Sequence, residues 1–306
     1  MIHITSKLPT VGTTIFSVMS KLAQEHNAIN LSQGFPDYPT DKKLIELINE
    51  AMLAGHNQYA PMHGLTDLRA TVAKKMMANH GANYNEETEI TITAGGTQAI
   101  FTAIASVINP GDEVIIFEPA YDSYAPTVKL FGGLVKPFVL HAPDYKIDWE
   151  MVKKLFSANT KMIILNSPQN PTGSILSKAD IEALIKLTRD TDVLILSDEV
   201  YEHIIFDGEQ HESIARYPEL KERSFIIASF GKLLHTTGWK LGYCLAPSKL
   251  MLEFRKVHQF NVFSVNTPMQ LGIANYLADE NIYKNISTFF QQKRDLFAGL
   301  LKETKF

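Results

Sequence analysis

Four short apolar runs, Val114-Ile115-Ile116-Phe117, Met162-Ile163-Ile164-Leu165, Val193-Leu194-Ile195-Leu196 and Phe225-Ile226-Ile227-Ala228, are separated by stretches of helical pattern. Each run is apolar on both alternating faces and short, as a strand covered by helices on both sides requires. Residues 97–107, 121–130 and 178–188 carry helical periodicity between them. This alternation predicts an α/β fold, a doubly wound and mostly parallel sheet flanked by helices. Ligands of such sheets bind outside the carboxyl ends of the strands. The residues just after each apolar run are therefore the first place to look for chemistry.

The remaining segments extend this frame. Residues 1–40 read as an arm, with a helix near 13–26 and a turn at Gly34-Phe35-Pro36-Asp37. Helical patterns follow at 42–54, with Leu44, Ile45, Leu47, Ile48 and Met52 expected on one side, and at 65–79. Residues 268–305 are helical in pattern with no strand after them. A length of 306 residues suggests about two domains. Charged residues are 20% of the chain and the formal net charge is −4, which favours neither nucleic acid nor an anionic membrane. No apolar run is long enough to span a bilayer, and the N-terminus is not a secretory signal. Cys244 is the only cysteine, and the ten histidines show no HxxxH or HExxH spacing, so neither a disulfide nor a metal is expected. A cytoplasmic protein is expected.

The last apolar run leads into Ser229-Phe230-Gly231-Lys232, followed by Gly238-Trp239-Lys240-Leu241-Gly242. A lysine at a strand end can be a solvated surface residue. It becomes a nucleophile able to form a Schiff base where desolvation or a nearby cation such as Lys240 acts on it. Ser197-Asp198-Glu199-Val200-Tyr201 follows another run. Asp198 suits a helix N-cap, a magnesium ligand without the expected phosphate loop, or a partner for a protonated pyridine nitrogen. Tyr201, one helical turn on, would face the same side. Asn166-Ser167-Pro168-Gln169-Asn170-Pro171-Thr172-Gly173 is either an ordinary loop of self-bonding asparagines or a rigid mount for the Asn170 amide. Thr91-Ile92-Thr93-Ala94-Gly95-Gly96-Thr97-Gln98-Ala99 ends a short strand and opens an apolar helix, where free N–H groups and glycines make a phosphate cradle, although turns use the same residues. Tyr121, placed at the start of the next helix, is either core or a stacking platform.

In combination these segments resemble the class I/II aminotransferases, the fold-type-I family of enzymes dependent on pyridoxal 5′-phosphate (PLP). Asn170-Pro171-Thr172-Gly173, Ser197-Asp198-Glu199-Val200-Tyr201 and Ser229-Phe230-Gly231-Lys232 occur in that family's order. The likeness continues through Asn30–Tyr38, Asn57-Gln58-Tyr59-Ala60-Pro61 and Ser264-Val265-Asn266-Thr267-Pro268. Gly238-Trp239-Lys240 is similar to the Gly-Trp-Lys of the methionine and kynurenine/glutamine aminotransferase branch, while many other members of the family carry arginine in place of that lysine.

The resemblance implies a Schiff base on Lys232, which would also shuttle the substrate proton, and Asp198 paired with the pyridinium nitrogen. It implies Asn170 and Tyr201 on the phenolic oxygen and Tyr121 stacked on the ring. Gly95, Gly96, Thr97, Ser229 and Lys240 would hold the phosphate, with Tyr59 reaching a neighbouring subunit's phosphate in a homodimer with shared active sites. Gly34, Asn170 and Phe16 would face the substrate. The implied reaction is transamination between an L-amino acid (methionine, glutamine or aromatic) and a 2-oxo acid. The alternatives are a cysteine-conjugate β-lyase and a PLP-binding remnant without turnover.

Two features depart from the family. Its members continue past the position of Phe306 through a small domain whose arginine clamps the substrate carboxylate, a natural bidentate pairing. None of Arg69, Arg189, Arg216, Arg223, Arg255 and Arg294 falls at that place. Leu233-Leu234 stands where relatives often have Thr and an aromatic. The division expected is an arm and small-domain segment at 1–40, a large PLP-binding domain at 41–275, and the start of an incomplete small domain at 276–306. Leu296, Phe297, Leu300 and Leu301 would then be exposed.

Overall fold

The computed structural model describes residues 2–34, 38–279 and 281–305. Its centre is a sheet of seven strands: β1 (Ile90–Thr93), β2 (Glu113–Glu118), β3 (Leu134–Val139), β4 (Thr160–Asn166), β5 (Leu194–Asp198), β6 (Ser224–Ser229) and β7 (Gly242–Leu245). Their spatial order is β1-β7-β6-β5-β4-β2-β3. All neighbouring pairs are parallel except those made by β7, which runs antiparallel to both β1 and β6. Because β7 opposes both neighbours, β1 points the same way as β4, β5 and β6. The carboxyl ends of these four strands therefore meet along one edge.

The apolar runs are buried on both faces for the reason their composition suggests. Successive side chains alternate sides. Ile163, Leu165, Ile195 and Ile226 enter one core with the helices Lys42–Leu53, Thr66–His80 and Lys178–Thr188. Met162, Ile164, Leu196, Phe225 and Ile227 enter a second core with the helices Gly96–Val107 and Ser248–Asn261.

Several expectations change in detail. The helix at Lys42–Leu53 buries Leu44, Ile48 and Ala51, while Ile45 and Met52 are 41% and 42% exposed. Residues 44, 48 and 51 share one stripe of a 3.6-residue repeat, whereas 45 and 52 flank it. The stripe meets the helix Thr267–Tyr276 so closely that a Cβ on Gly272 would lie 2.3 Å from Ile48 Cγ1. The helix expected from residue 121 begins at Tyr124, so Tyr121 belongs to the preceding turn. Tyr201 is not one helical turn beyond Asp198: residues 200–203 form a turn with no helix. Strands β3 and β7 carried no clear signal. β3 is a half-exposed edge strand containing Lys136 and Pro137, and β7 is four residues long and opens on glycine. Gly34 is exposed and irregular, and residues 35–37 of the turn expected there lie outside the described residues. Leu296, Phe297 and Leu300 are exposed as expected, whereas Leu301 is half-buried.

Candidate active site

Strand β1 delivers Gly95 and Gly96 to the start of the helix Gly96–Val107. Gly95 has φ +83°, and the helix start has no side-chain cap. The first N–H groups of a helix lack intrahelical partners and carry the positive end of its dipole. Strand β7 passes directly behind this turn: a Cβ on Gly242 would lie 2.6 Å from the Ala228 carbonyl oxygen and 3.1 Å from Gly96 N. Just before β7, Lys240 turns the chain with φ +54°. Its side chain crosses Gly95, where an added Cβ would sit 3.6 Å from Nζ. A helix N-terminus and an ammonium thus converge at one place, a suitable seat for a phosphate dianion.

The other strand ends face the same space. A cavity of about 160 Å³ is lined by Gly95, Gly96, Thr97, Tyr121, Asn170, Asp198, Tyr201, Ser229, Lys232 and Lys240, with Ile100, Asn166, Val200, Gly231 and Thr237. Lys232 lies in the short helix Phe230–Leu233 just after β6, with Nζ 5.3 Å from the Tyr201 ring centroid. The Thr97 hydroxyl and the Tyr121 phenol are hydrogen-bonded at 3.0 Å. The Asn166 amide donates to the Asp198 carbonyl at 2.9 Å, and its own oxygen accepts the Asn170 N–H at 2.7 Å, which fixes the asparagine loop against β5.

Asp198 ends β5 and is 3% exposed. Burial raises its pKa to about 6, even though the hydrogen bond from Tyr124 and the Val200 N–H favour the ionised form. Tyr124 Oη donates to Oδ2 at 2.5 Å and Val200 N to Oδ1 at 3.3 Å. A carboxylate held at the floor of a cavity, with only neutral donors bonded to it, suits a cationic ring nitrogen. With the phosphate seat at one end and Lys232 on the wall, the residues present fit PLP.

Sequence reasoning named ten of these lining residues but missed Tyr124, whose link to Asp198 spans the fold and leaves no local signal. Asn166 belonged to a recognised loop, yet only Asn170 was singled out. Three predicted site residues do not line the cavity of a single chain. Tyr59 is 82% exposed with its ring against Phe263 (centroids 5.3 Å apart), Phe16 is half-buried on the helix Ile15–Glu25, and Gly34 is exposed. No arginine lines the cavity. Arg69, Arg223 and Arg255 are spent on backbone carbonyls, and Arg294 makes a two-pronged pair with Asp207 at 2.6 and 2.7 Å. Among the described residues no group of three or more His, Cys, Asp or Glu is placed to hold a metal ion. No helix among them is long and apolar enough to cross a membrane.

The family model for aminotransferase class I and II matches residues 26–306. The chain is 46% identical to the methionine aminotransferase of Escherichia coli (strain K12) over 301 residues, 98% of this chain and 78% of that protein. It is 34% identical to the human kynurenine–oxoglutarate transaminase 1 over 286 residues, 89% and 68% of the two chains. A crystal structure of an E. coli protein identified as having methionine aminotransferase function superposes with a TM-score of 0.96 at 44% identity, covering 100% of this chain and 80% of that one. The N-succinyldiaminopimelate aminotransferase structure from Mycobacterium tuberculosis gives 0.94 at 33% identity, covering 98% and 79%. With the strand ends arranged as described, these matches establish that the chain belongs to the class I and II aminotransferases, enzymes of fold type I that depend on PLP.

Proposed function

We propose that this chain transfers the amino group of L-methionine, glutamine or an aromatic amino acid to a 2-oxo acid, with the site residues acting as follows. Lys232 Nζ would hold the cofactor and, as a free amine, would act as the base that carries the proton from the substrate Cα. Bound PLP supplies an electron-withdrawing ring that takes up the charge left when that proton departs. Asp198 holds its carboxylate against the ring nitrogen, and Asn170 with the Tyr201 hydroxyl binds the phenolic oxygen. Tyr121 covers one ring face. Gly95, Gly96, Thr97, Ser229 and Lys240 bind the phosphate and so set the ring's distance from Lys232. Asn170 faces the substrate from the cavity wall, while Gly34 and Phe16, which lie outside the cavity of the single chain, would have to approach the substrate from the arm. Residues 41–275 form the cofactor-binding unit between an arm at 1–40 and a small-domain segment at 276–306.

The observation that carries this reading is the convergence of Lys232, Asp198 and Lys240 on one cavity from three strand ends. The substrate range draws on the relatives named methionine aminotransferase and kynurenine–oxoglutarate transaminase. A homodimer is also proposed. The helix Ile15–Glu25 has no buried residue, and its stripe of Ile15, Val18, Met19 and Leu22 is 40–64% exposed. The exposed Tyr59 is then available to a second copy's phosphate seat.

An absorbance titration with PLP followed by L-methionine tests the function. The expected result is a visible band that Lys232→Ala abolishes and that L-methionine converts to the shorter-wavelength absorption of the aminated cofactor. A band indifferent to methionine, glutamine and aromatic amino acids would overturn transamination. Ammonia release from a cysteine conjugate without amino transfer would point to the lyase instead. Sedimentation at micromolar concentration tests the dimer, and a monomer mass overturns it.

A further inference from the structure

Tyr124 reaches Asp198 from beside the cavity. It does not line the main cavity but a smaller one of about 60 Å³, which shares Asn166 and Asn170 with it. It is the first residue of the helix Tyr124–Leu130 and is 2% exposed. Its ring packs in the second core with Ile100, Ile116, Ile164 and Leu196, and meets Tyr121 edge-on at 5.7 Å between centroids. From that fixed position its hydroxyl donates to Asp198 Oδ2 at 2.5 Å.

We propose that Tyr124 is a positioning residue for the reaction, whose phenol fixes the plane of the Asp198 carboxylate and holds its negative charge in place opposite the cofactor ring. The inference rests on the assignment of Asp198 to the ring nitrogen given above. An aspartate side chain has two torsions to set. Here the Tyr124 hydroxyl restrains one oxygen and the Val200 N–H the other. Donation to a carboxylate favours its ionised form. Burial and the adjacent Asp198 charge raise the Tyr124 pKa well above the ordinary phenol value, so the phenol stays the donor. Tyr121, which covers the ring in the proposed site, leans on the same residue, so one buried tyrosine supports both the charge partner and the stacking face.

Tyr124→Phe keeps the ring and removes only the donor. Its test is the titration of Asp198 in the apoprotein, followed by difference infrared spectroscopy with Asp198→Asn locating the band. The midpoint is expected to rise by about one to two pH units, the size of a hydrogen bond to a charged group. PLP affinity at pH 7 should fall about tenfold or more and recover at higher pH. The acid limb of kcat/KM should move up by the same interval while the alkaline limb stays. A lower melting temperature with an unmoved Asp198 midpoint would mean that Tyr124 is only a core residue, and would overturn the proposal. Should Tyr124→Phe not fold, 3-fluorotyrosine at position 124, a stronger donor, must lower the midpoint, and an unmoved value overturns the proposal equally. Failure of the underlying assignment looks different: Asp198→Asn would then bind PLP and turn over like the unaltered enzyme, whatever Tyr124→Phe does to the titration.

Discussion

Asp198, Glu199 and Glu202 lie within a five-residue span and all three side chains are buried, yet their surroundings oppose each other. Burial raises Asp198 to about 6, because the donors bonded to it are neutral. Burial would raise Glu202 as well, but Lys75, 2.7 Å away, together with His203 and His80, holds it well below the usual carboxylate range. Glu199 is likewise lowered against its burial by His211 at 2.7 Å, with the Ser197 hydroxyl at 2.9 Å and the Ile214 N–H at 3.1 Å adding to its shell. Burying an ionised carboxylate is costly unless a countercharge accompanies it. Glu199 and Glu202 have theirs within the chain, while Asp198 has at its oxygens a phenol and an amide, with the charge of Lys232 acting only from a distance. A buried acid whose countercharge must arrive with a ligand marks a binding floor, and one already paired marks scaffolding.

The largest expected effect is on turnover. Asp198→Asn should lower kcat by about a thousandfold, the scale of losing a preorganised charge at the reacting centre, while Glu202→Gln should keep kcat within about tenfold. Steady-state kinetics of the two loaded variants tests the division, and equal losses would break it. On stability the order reverses. Glu202→Gln leaves Lys75 buried without its partner and should cost about 3–5 kcal/mol in denaturant unfolding. Asp198→Asn should instead stabilise the apoprotein at pH 7 by up to about 3 kcal/mol, since a carboxyl raised from 3.8 to about 6 opposes folding once both states are ionised. The opposite signs are the sharpest check on the comparison.

The Glu199–His211 pair gives a pH-dependent version. His211 is raised above 6.5 by Glu199 against its own burial, so its contribution is complete below 6.5 and lost as pH rises through its folded value. Glu199, lowered below 4.5, contributes above 4.5 and loses that contribution as pH falls through its folded value. Unfolding free energy should therefore decline above pH 6.5 in the unaltered chain and respond less to pH in Glu199→Gln. Parallel curves from pH 6 to 9 would show that the pair does not titrate as described. The smallest effect is Ser197→Ala, which removes one donor to Glu199 and should cost about 1.5–3 kcal/mol with cofactor binding unchanged. A weaker hold on PLP would tie the scaffold to the site.

These two regions also differ in how legible they were. Lys232 and Asp198 stand just after apolar runs and Gly95-Gly96 just after the short alternating strand β1, and in a parallel sheet buried on both faces such segments fix where strands end. Local pattern was enough to place them at one edge. The network of Lys75, His80, Glu202, His203 and His211 gave no warning, because a helix, a turn and a loop distant in sequence meet only in the folded chain. Tyr124 was hidden for the same reason: nothing within Glu118–Tyr124 reports a bond to residue 198. Strand β7 was missed because four residues opening on glycine carry too little alternation, although it completes the phosphate seat.

That strand has a consequence for the order of assembly. β7 inserts between β1 and β6, so the turn at Gly95-Gly96 and the Lys240 side chain, from distant parts of the chain, come together only when it arrives. A chain emerging from the ribosome has made Asp198 and Lys232 before it has anywhere to seat the phosphate. Retention of the cofactor therefore works as an inspection stamp: a molecule that holds it has closed its sheet.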